Sequence, residues 1–367
     1  MAKTYVVTGG TGFIGAYLVR RLVKDGHAVR VVDNDLRGSK ARLADLEGQF
    51  ELIIADCRDE EAMIKASKGA DSMLHLAALN GTENFYNRPE LVLDVGVRGM
   101  YGALAATRAN GIGEFVLASS SEAYQTPPMV PTPESVPLMI PDTWNPRYSY
   151  GGSKLISELM LANYNRDVHD RAMIFRPHNV YGADMGWEHV LPQFILRAAE
   201  QIAKHPTGKV PFQIQGDGSQ TRSFIHIDDF IDGLILIIDK GEHRNVYHIG
   251  TLEELSIRDL VNAVFAWFGR EPDIIPGPEA AGGTPRRCPD IAKLEGLVAT
   301  HGPDRIAFVR MEAGTNLIGG QPISLANLTE IRSVCDIYGL TLVLDASLLA
   351  DNLWFNNGRF YLLVDGE

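Results

Sequence analysis

Three observations predict an α/β chain built on a doubly wound parallel sheet. Strand-like and helix-like stretches alternate, a glycine-rich turn joins the first pair, and acids close the next strands. At 367 residues there is room for two or three lobes. The expected layout is a sheet domain over 1–176 with 223–245 returning to it. A smaller lobe is expected over 177–222 and 246–292, and a C-terminal α/β appendage over 293–367.

The first elements sit in "KTYVVTGGTGFIGAYLVRRLVKDGHAVRVVDND". A β-branched run over 5–8 enters the turn, and Phe13, Ile14, Leu18 and Leu22 then recur at helical spacing to Lys24. A second strand over 28–32 closes on Asp33. Gly9, Gly12 and Gly15 form G-x-x-G-x-x-G: room for a tight turn, for backbone close to a pyrophosphate, and for a helix packed on a strand. Free N–H groups at the helix start would hold the anion. The order strand, turn, helix, strand, acid gives this Rossmann-like motif the context that it needs. A carboxylate at Asp33 accepts from a ribose diol and repels a 2′-phosphate, so NAD is expected rather than NADP, although Arg37 lies near.

The alternation continues. "QFELIIAD", "DSMLHLAAL" and "GEFVLASSS" read as the third, fourth and fifth strands, with helices over 59–68 and 90–110 between them. Ligands of such sheets lie at the carboxyl ends of the strands, where Asp56, 76–78 and 119–121 fall. "NPRYSYGGSK" puts Tyr150 and Lys154 four apart on one helix face. A phenol with a reference pKa of about 10 needs a neighbouring cation to act as a base. Lys154 is placed to supply it, and Ser120 to bond the same substrate hydroxyl.

Bulk properties narrow the partners. A net charge of −12 weighs against nucleic acid or an anionic membrane surface. No leader pattern opens the chain, and no apolar run reaches the ~18–20 residues of a membrane span. Cys57, Cys288 and Cys335 lie too far apart for a disulfide framework, which fits a cytoplasmic protein. The ten histidines do not cluster, so no metal site is expected.

"TGGTGFIG", "HLAAL", "SSSEAY", "YGGSK" and "RPHNVYG" together resemble the extended short-chain dehydrogenase/reductases, the NAD-dependent nucleotide-sugar epimerases and dehydratases, over about 1–294. The resemblance implies NAD held by Gly9, Gly12, Phe13, Ile14, Gly15, Asp33, Asn34, Asp56, Cys57, Leu76, Ala77, Ala78, Tyr150 and Lys154. It assigns Ser120, Tyr150 and Lys154 as catalytic, and Glu122, Asn179, Arg222 and Arg286 (or its neighbour Arg287) to the substrate. It also implies a homodimer through the helices over 90–110 and 150–166.

Two departures bear on the reaction. Gly96 stands where the family has Asn, and Ser121 stands where 4,6-dehydratases carry Asp. The expected activity is therefore a nucleotide-sugar 4-epimerase. The alternatives are a decarboxylase, which Glu122 also resembles, a 4,6-dehydratase, or a catalytically impaired chimeric binding protein. From about 293 to 355 the chain resembles a different family, the tryptophanases and tyrosine phenol-lyases, on "NLIGGQPIS" and the "LDA" strand end. Asn316 and Asp345 match cofactor-facing positions of those enzymes, but Leu348 replaces their Arg and no Schiff-base Lys follows. A strand over 306–311, a helix over 325–338 and a strand over 340–345 are expected in this non-catalytic appendage.

Overall fold

The computed structural model describes residues 2–279, 283–301, 309–312 and 342–345. They fall into two compact units, the first comprising Met1–Pro192, Thr221–Leu255 and Gly282–Leu297. Its centre is a seven-stranded parallel sheet. Six strands come in chain order: β1 (Thr4–Thr8), β2 (Ala28–Asp33), β3 (Glu51–Ile54), β4 (Ser72–His75), β5 (Glu114–Ala118) and β6 (Arg171–Pro177). They lie in the order 3-2-1-4-5-6, and Asn245–Ile249 adds the seventh beside β6. The order reverses between β1 and β4, which is where such sheets bind ligands.

Alternate residues of the central strands enter opposite cores. Tyr5, Val7, Leu74, Val116 and Phe175 join one cluster, while Val6, Met73, Phe115, Leu117 and Ile174 join the other. Both faces are thus covered, as parallel sheets require. The first cluster takes Leu18, Val19 and Leu22 from α1 (Phe13–Lys24), each contributing about 2 kcal/mol by burial. The second is capped by α2 (Glu60–Ala66), α4 (Pro89–Asn110) and α5 (Ser149–Asn163).

The differences from expectation are local. Asp59 is the cap of α2 and not part of it, because its carboxylate accepts from the Ala62 N–H. β3 stops at Ile54, so Asp56 lies on the loop beyond the strand. A short helix, α3 (Thr82–Asn87), follows β4 where no element was expected. The seventh strand continues past the boundary expected at 245.

The second unit comprises Gln193–Gln220, Ser256–Ala281 and Val298–Glu367. Val210–Ile214 pairs in parallel with Pro272–Pro276, and Ile257–Trp267 is an amphipathic helix capped by Ser256. In the tail, Val309–Glu312 pairs in parallel with Leu342–Asp345, close to the strands expected over 306–311 and 340–345. The helix expected over 325–338, Asn316 and Leu348 lie outside the described residues.

Candidate active site

A cavity of about 370 Å³ runs along the carboxyl ends of the strands in the first unit. At one end, the turn after β1 has no room for side chains. Gly9 has φ +72°, and a Cβ there would stand 2.9 Å from the Ala77 backbone. A Cβ on Gly15 would stand 2.2 Å from the Gly9 carbonyl oxygen. Backbone is thereby exposed at the start of α1, where Phe13 and Ile14 line the cavity and no side chain caps the helix.

Asp33 closes β2 and is itself held: its carboxylate accepts from the Thr11 N–H at 3.0 Å and the Asp35 N–H at 2.9 Å. Asn34 donates to Asp56 at 2.8 Å, and the Arg58 guanidinium, the larger influence, keeps the Asp56 carboxyl down at about 2. Thr8 Oγ1 accepts from the Leu76 and Ala77 N–H groups at 3.1 and 3.2 Å, fixing the loop after β4. Cys57 is wedged against α4, where a Cβ on Gly99 would meet its sulfur at 2.6 Å, and burial pushes its thiol up to about 12. Ala78 lines the cavity beside them. A glycine cradle, a held carboxylate and a positively polarised helix start fit an adenine dinucleotide.

At the other end, Tyr150 and Lys154 stand one turn apart on α5, both buried. The Lys154 ammonium lies 5.6 Å from the centre of the Tyr150 ring and donates to the Ala118 carbonyl at 2.7 Å. Burial lowers Lys154 to about 8, with Glu158 opposing the shift. Burial also pushes the Tyr150 phenol up to about 12, outweighing its hydrogen bond to Ser120 and the charge of Arg37. Phe85 of α3 stacks on the Tyr150 ring at 5.2 Å and fixes its plane.

Ser120 accepts from the Glu122 N–H at 3.1 Å, which turns the chain after β5 towards Tyr150. Glu122 pairs with Arg287 at 2.7 Å and with Arg147 at 3.9 Å. Burial alone would raise this carboxyl, but Arg287 first and Arg147 next hold it at about 2. Arg222 belongs to the same electrostatic cluster, and burial lowers it to about 10. Arg286 does not: it is exposed and pairs with Glu254. Neighbouring residues of an extended pair face opposite ways, so Arg287 is the arginine at the site. Asn179 spends its amide on the Ser223 carbonyl at 2.8 Å.

Sequence reasoning missed the buried frame behind Ser120. Arg176 grips Glu158 through two nitrogens at 2.8 and 2.6 Å and bonds Tyr124, whose hydroxyl meets His248 at 2.8 Å. Ser119 donates to Glu158. Glu158 lies one turn beyond Lys154 on the same face, a signal that spacing alone contained. Gly96 also gains a reason: a Cβ there would stand 2.6 Å from Ser153 Cβ, so its absence lets α4 lie against α5 beside Lys154.

Residues 5–250 match the model of the NAD dependent epimerase/dehydratase family. The chain belongs to that family. It is an NAD-dependent enzyme, and the cradle described above is consistent with the cofactor. Among curated relatives, the dTDP-4-dehydro-6-deoxy-D-allose reductase of Streptomyces bikiniensis is 31% identical over 311 residues, covering 81% of this chain and 90% of the relative. The UDP-N-acetyl-alpha-D-glucosaminuronate decarboxylase of Bacillus cytotoxicus is 28% identical and covers 82% and 93%. A solved UDP-galactose 4-epimerase superposes with a TM-score of 0.67 at 26% identity, covering 80% of this chain and 91% of the other. Residues 261–359 match the β-eliminating lyase model. That match begins before the join expected near 293, inside the helix Ile257–Trp267. Among the described residues no helix is long and apolar enough to cross a membrane.

Proposed function

We propose that this family member is a nucleotide-sugar 4-epimerase that oxidises C4 and returns the hydride to the opposite face of the same sugar. The observation that carries the reading is the state of Glu122. Two arginines keep it ionised, so it is not an acid for expelling a 6-hydroxyl, and Ser121 beside it supplies none. What remains beside the cofactor cradle is Ser120, Tyr150 and Lys154, the set that reversible alcohol oxidation needs.

Bound NAD supplies the acceptor and donor of hydride and, when oxidised, a cationic ring. Ser120 orients the C4 hydroxyl, and Tyr150 accepts its proton and later returns it. Lys154 holds the nicotinamide ribose and adds positive charge beside the phenolate. Gly9, Gly12, Gly15, Asp33, Asn34, Asp56 and the loop 76–78 hold the dinucleotide. Arg222 meets the substrate diphosphate, a fork of N–H donors against phosphate oxygens, while Arg287, bonded to Glu122 and Thr284, holds Glu122 beside it. Asn179 has its amide committed elsewhere and contributes by fixing the backbone after β6.

A second reading, decarboxylation of a nucleotide-sugar acid, is favoured by the same cluster, since three arginines around one carboxylate leave excess positive charge. A panel of nucleotide sugars followed by NMR separates the two. C4 inversion without carbon dioxide supports the first, and carbon dioxide release with a pentose product overturns it.

The layout proposed is a cytoplasmic enzyme with a cofactor domain, a smaller substrate lobe and a grafted, non-catalytic lyase-like tail. Leu93 and Tyr101 on α4, with Ile156 and Leu159 on α5, are exposed large apolar side chains, and they support a homodimer through these helices.

A further inference from the structure

Three side chains of the cofactor-binding half reach one segment, residues 182–189, that the catalytic motifs leave unexplained. The Tyr17 hydroxyl donates to the Ala183 carbonyl at 3.4 Å, and Arg42 donates to the Asp184 carbonyl at 3.2 Å. Arg37 pairs with Glu188 and also donates to the Asn80 carbonyl. The paired side chains are only 25% and 31% exposed. They lie over the backbone of Gly81, where a Cβ would stand 3.4 Å from Glu188 Cγ and 3.9 Å from Arg37 Nη1.

Glu188 and its neighbours Trp187 and His189 line the same cavity as the glycine turn, Asp33 and Lys154. The ion pair therefore ties two walls of the cofactor pocket together. An enzyme that uses NAD as a co-substrate must release it every cycle, and release is often the slow step. An enzyme that returns the hydride to the same sugar gains by never releasing it.

We propose that Arg37 and Glu188 form a latch that keeps NAD in its pocket throughout turnover, with Glu188 as a positioning residue for Arg37. The benefit of retention rests on the epimerase reading. The latch itself is measured without any sugar, so the two can fail separately.

The test is nucleotide retention. Protein loaded with NAD is passed through a desalting column, and the nucleotide still bound is quantified over time by chromatography after denaturation. Opening the tie between the two walls frees the way out of the pocket, and Glu188→Gln or Arg37→Gln is expected to speed release roughly tenfold. Exchanging the charges (Arg37→Glu with Glu188→Arg) should recover most of the retention. Glu188→Asp, which keeps the charge and shortens the reach, should fall between and serves if a larger change prevents folding. Release from Glu188→Gln as slow as from the unaltered protein overturns the latch. So does a charge-exchanged protein that releases NAD as fast as the worse single variant.

Discussion

The two ends of the cavity are built by opposite means. The cradle at the cofactor end is made by consecutive residues, from β1 through the turn into α1, and it works through bare backbone. The catalytic end, at Tyr150 and Lys154, adjoins a cluster of side chains far apart in the chain, Glu122 and Arg287 being separated by 165 positions. The glycine cradle fails when an atom is added. The catalytic end fails when a proton or a charge is removed.

The largest effect expected is therefore at the catalytic end. Tyr150→Phe keeps the ring stacked on Phe85 and removes only the hydroxyl. Turnover should fall by 10²–10⁴-fold, on the order of what a general acid–base group contributes, with NAD still bound. Near-normal turnover would remove the proposed base. The matching change at the cofactor end is Gly15→Ala, whose Cβ would stand 2.2 Å from Gly9 O and 2.7 Å from Gly10 Cα. It should abolish NAD retention and cost about 1–3 kcal/mol of stability, read by thermal melting. Retained cofactor would mean that the turn yields more readily than its geometry indicates.

Arg287→Gln probes the charge balance. Glu122 has a folded pKa depressed to about 2, so its pairing contributes stability above the unfolded value near 4.5 and loses it as pH falls towards 2. The variant should be less stable at neutral pH by about 1–3 kcal/mol, with a flatter profile between those values. An unchanged acid profile would show that Arg147 suffices. A further effect is spread over the core. His75, pushed down to about 3, and His169, to about 4, are buried and uncharged, chiefly through desolvation. The unfolded chain takes up these protons below about 6.5 and the folded one does not, so stability should fall as pH drops from 6.5 to 4. The slope is at most about 1.4 kcal/mol per pH unit for each histidine. A flat melting temperature over that range would contradict their burial.

The same contrast governs what the sequence made legible. A cradle of consecutive residues carries its own order, so Gly9, Gly15 and Asp33 could be placed by spacing, as could Tyr150 and Lys154 on one face of α5. Which of Arg286 and Arg287 faces Glu122 depends on the register of a two-residue strand paired with Thr221–Ser223, and no local pattern encodes that. The Arg176–Glu158–Tyr124–His248 frame and the Arg37–Glu188 pair likewise join segments that only the folded sheet brings together. Local spacing put Lys154 beside Tyr150, but the burial that pushes the Tyr150 phenol up and the Lys154 ammonium down comes from packing that no local pattern encodes.

The central claim is that hydride leaves C4 and returns to C4 of the same sugar. Nucleotide hexoses carrying deuterium at C4 test it directly, with the label located in the product by NMR. The account predicts an inverted C4 that still bears the deuterium, with no solvent hydrogen incorporated at any carbon. Deuterium found at C6, or solvent hydrogen at C5 with loss of carbon dioxide, would contradict it.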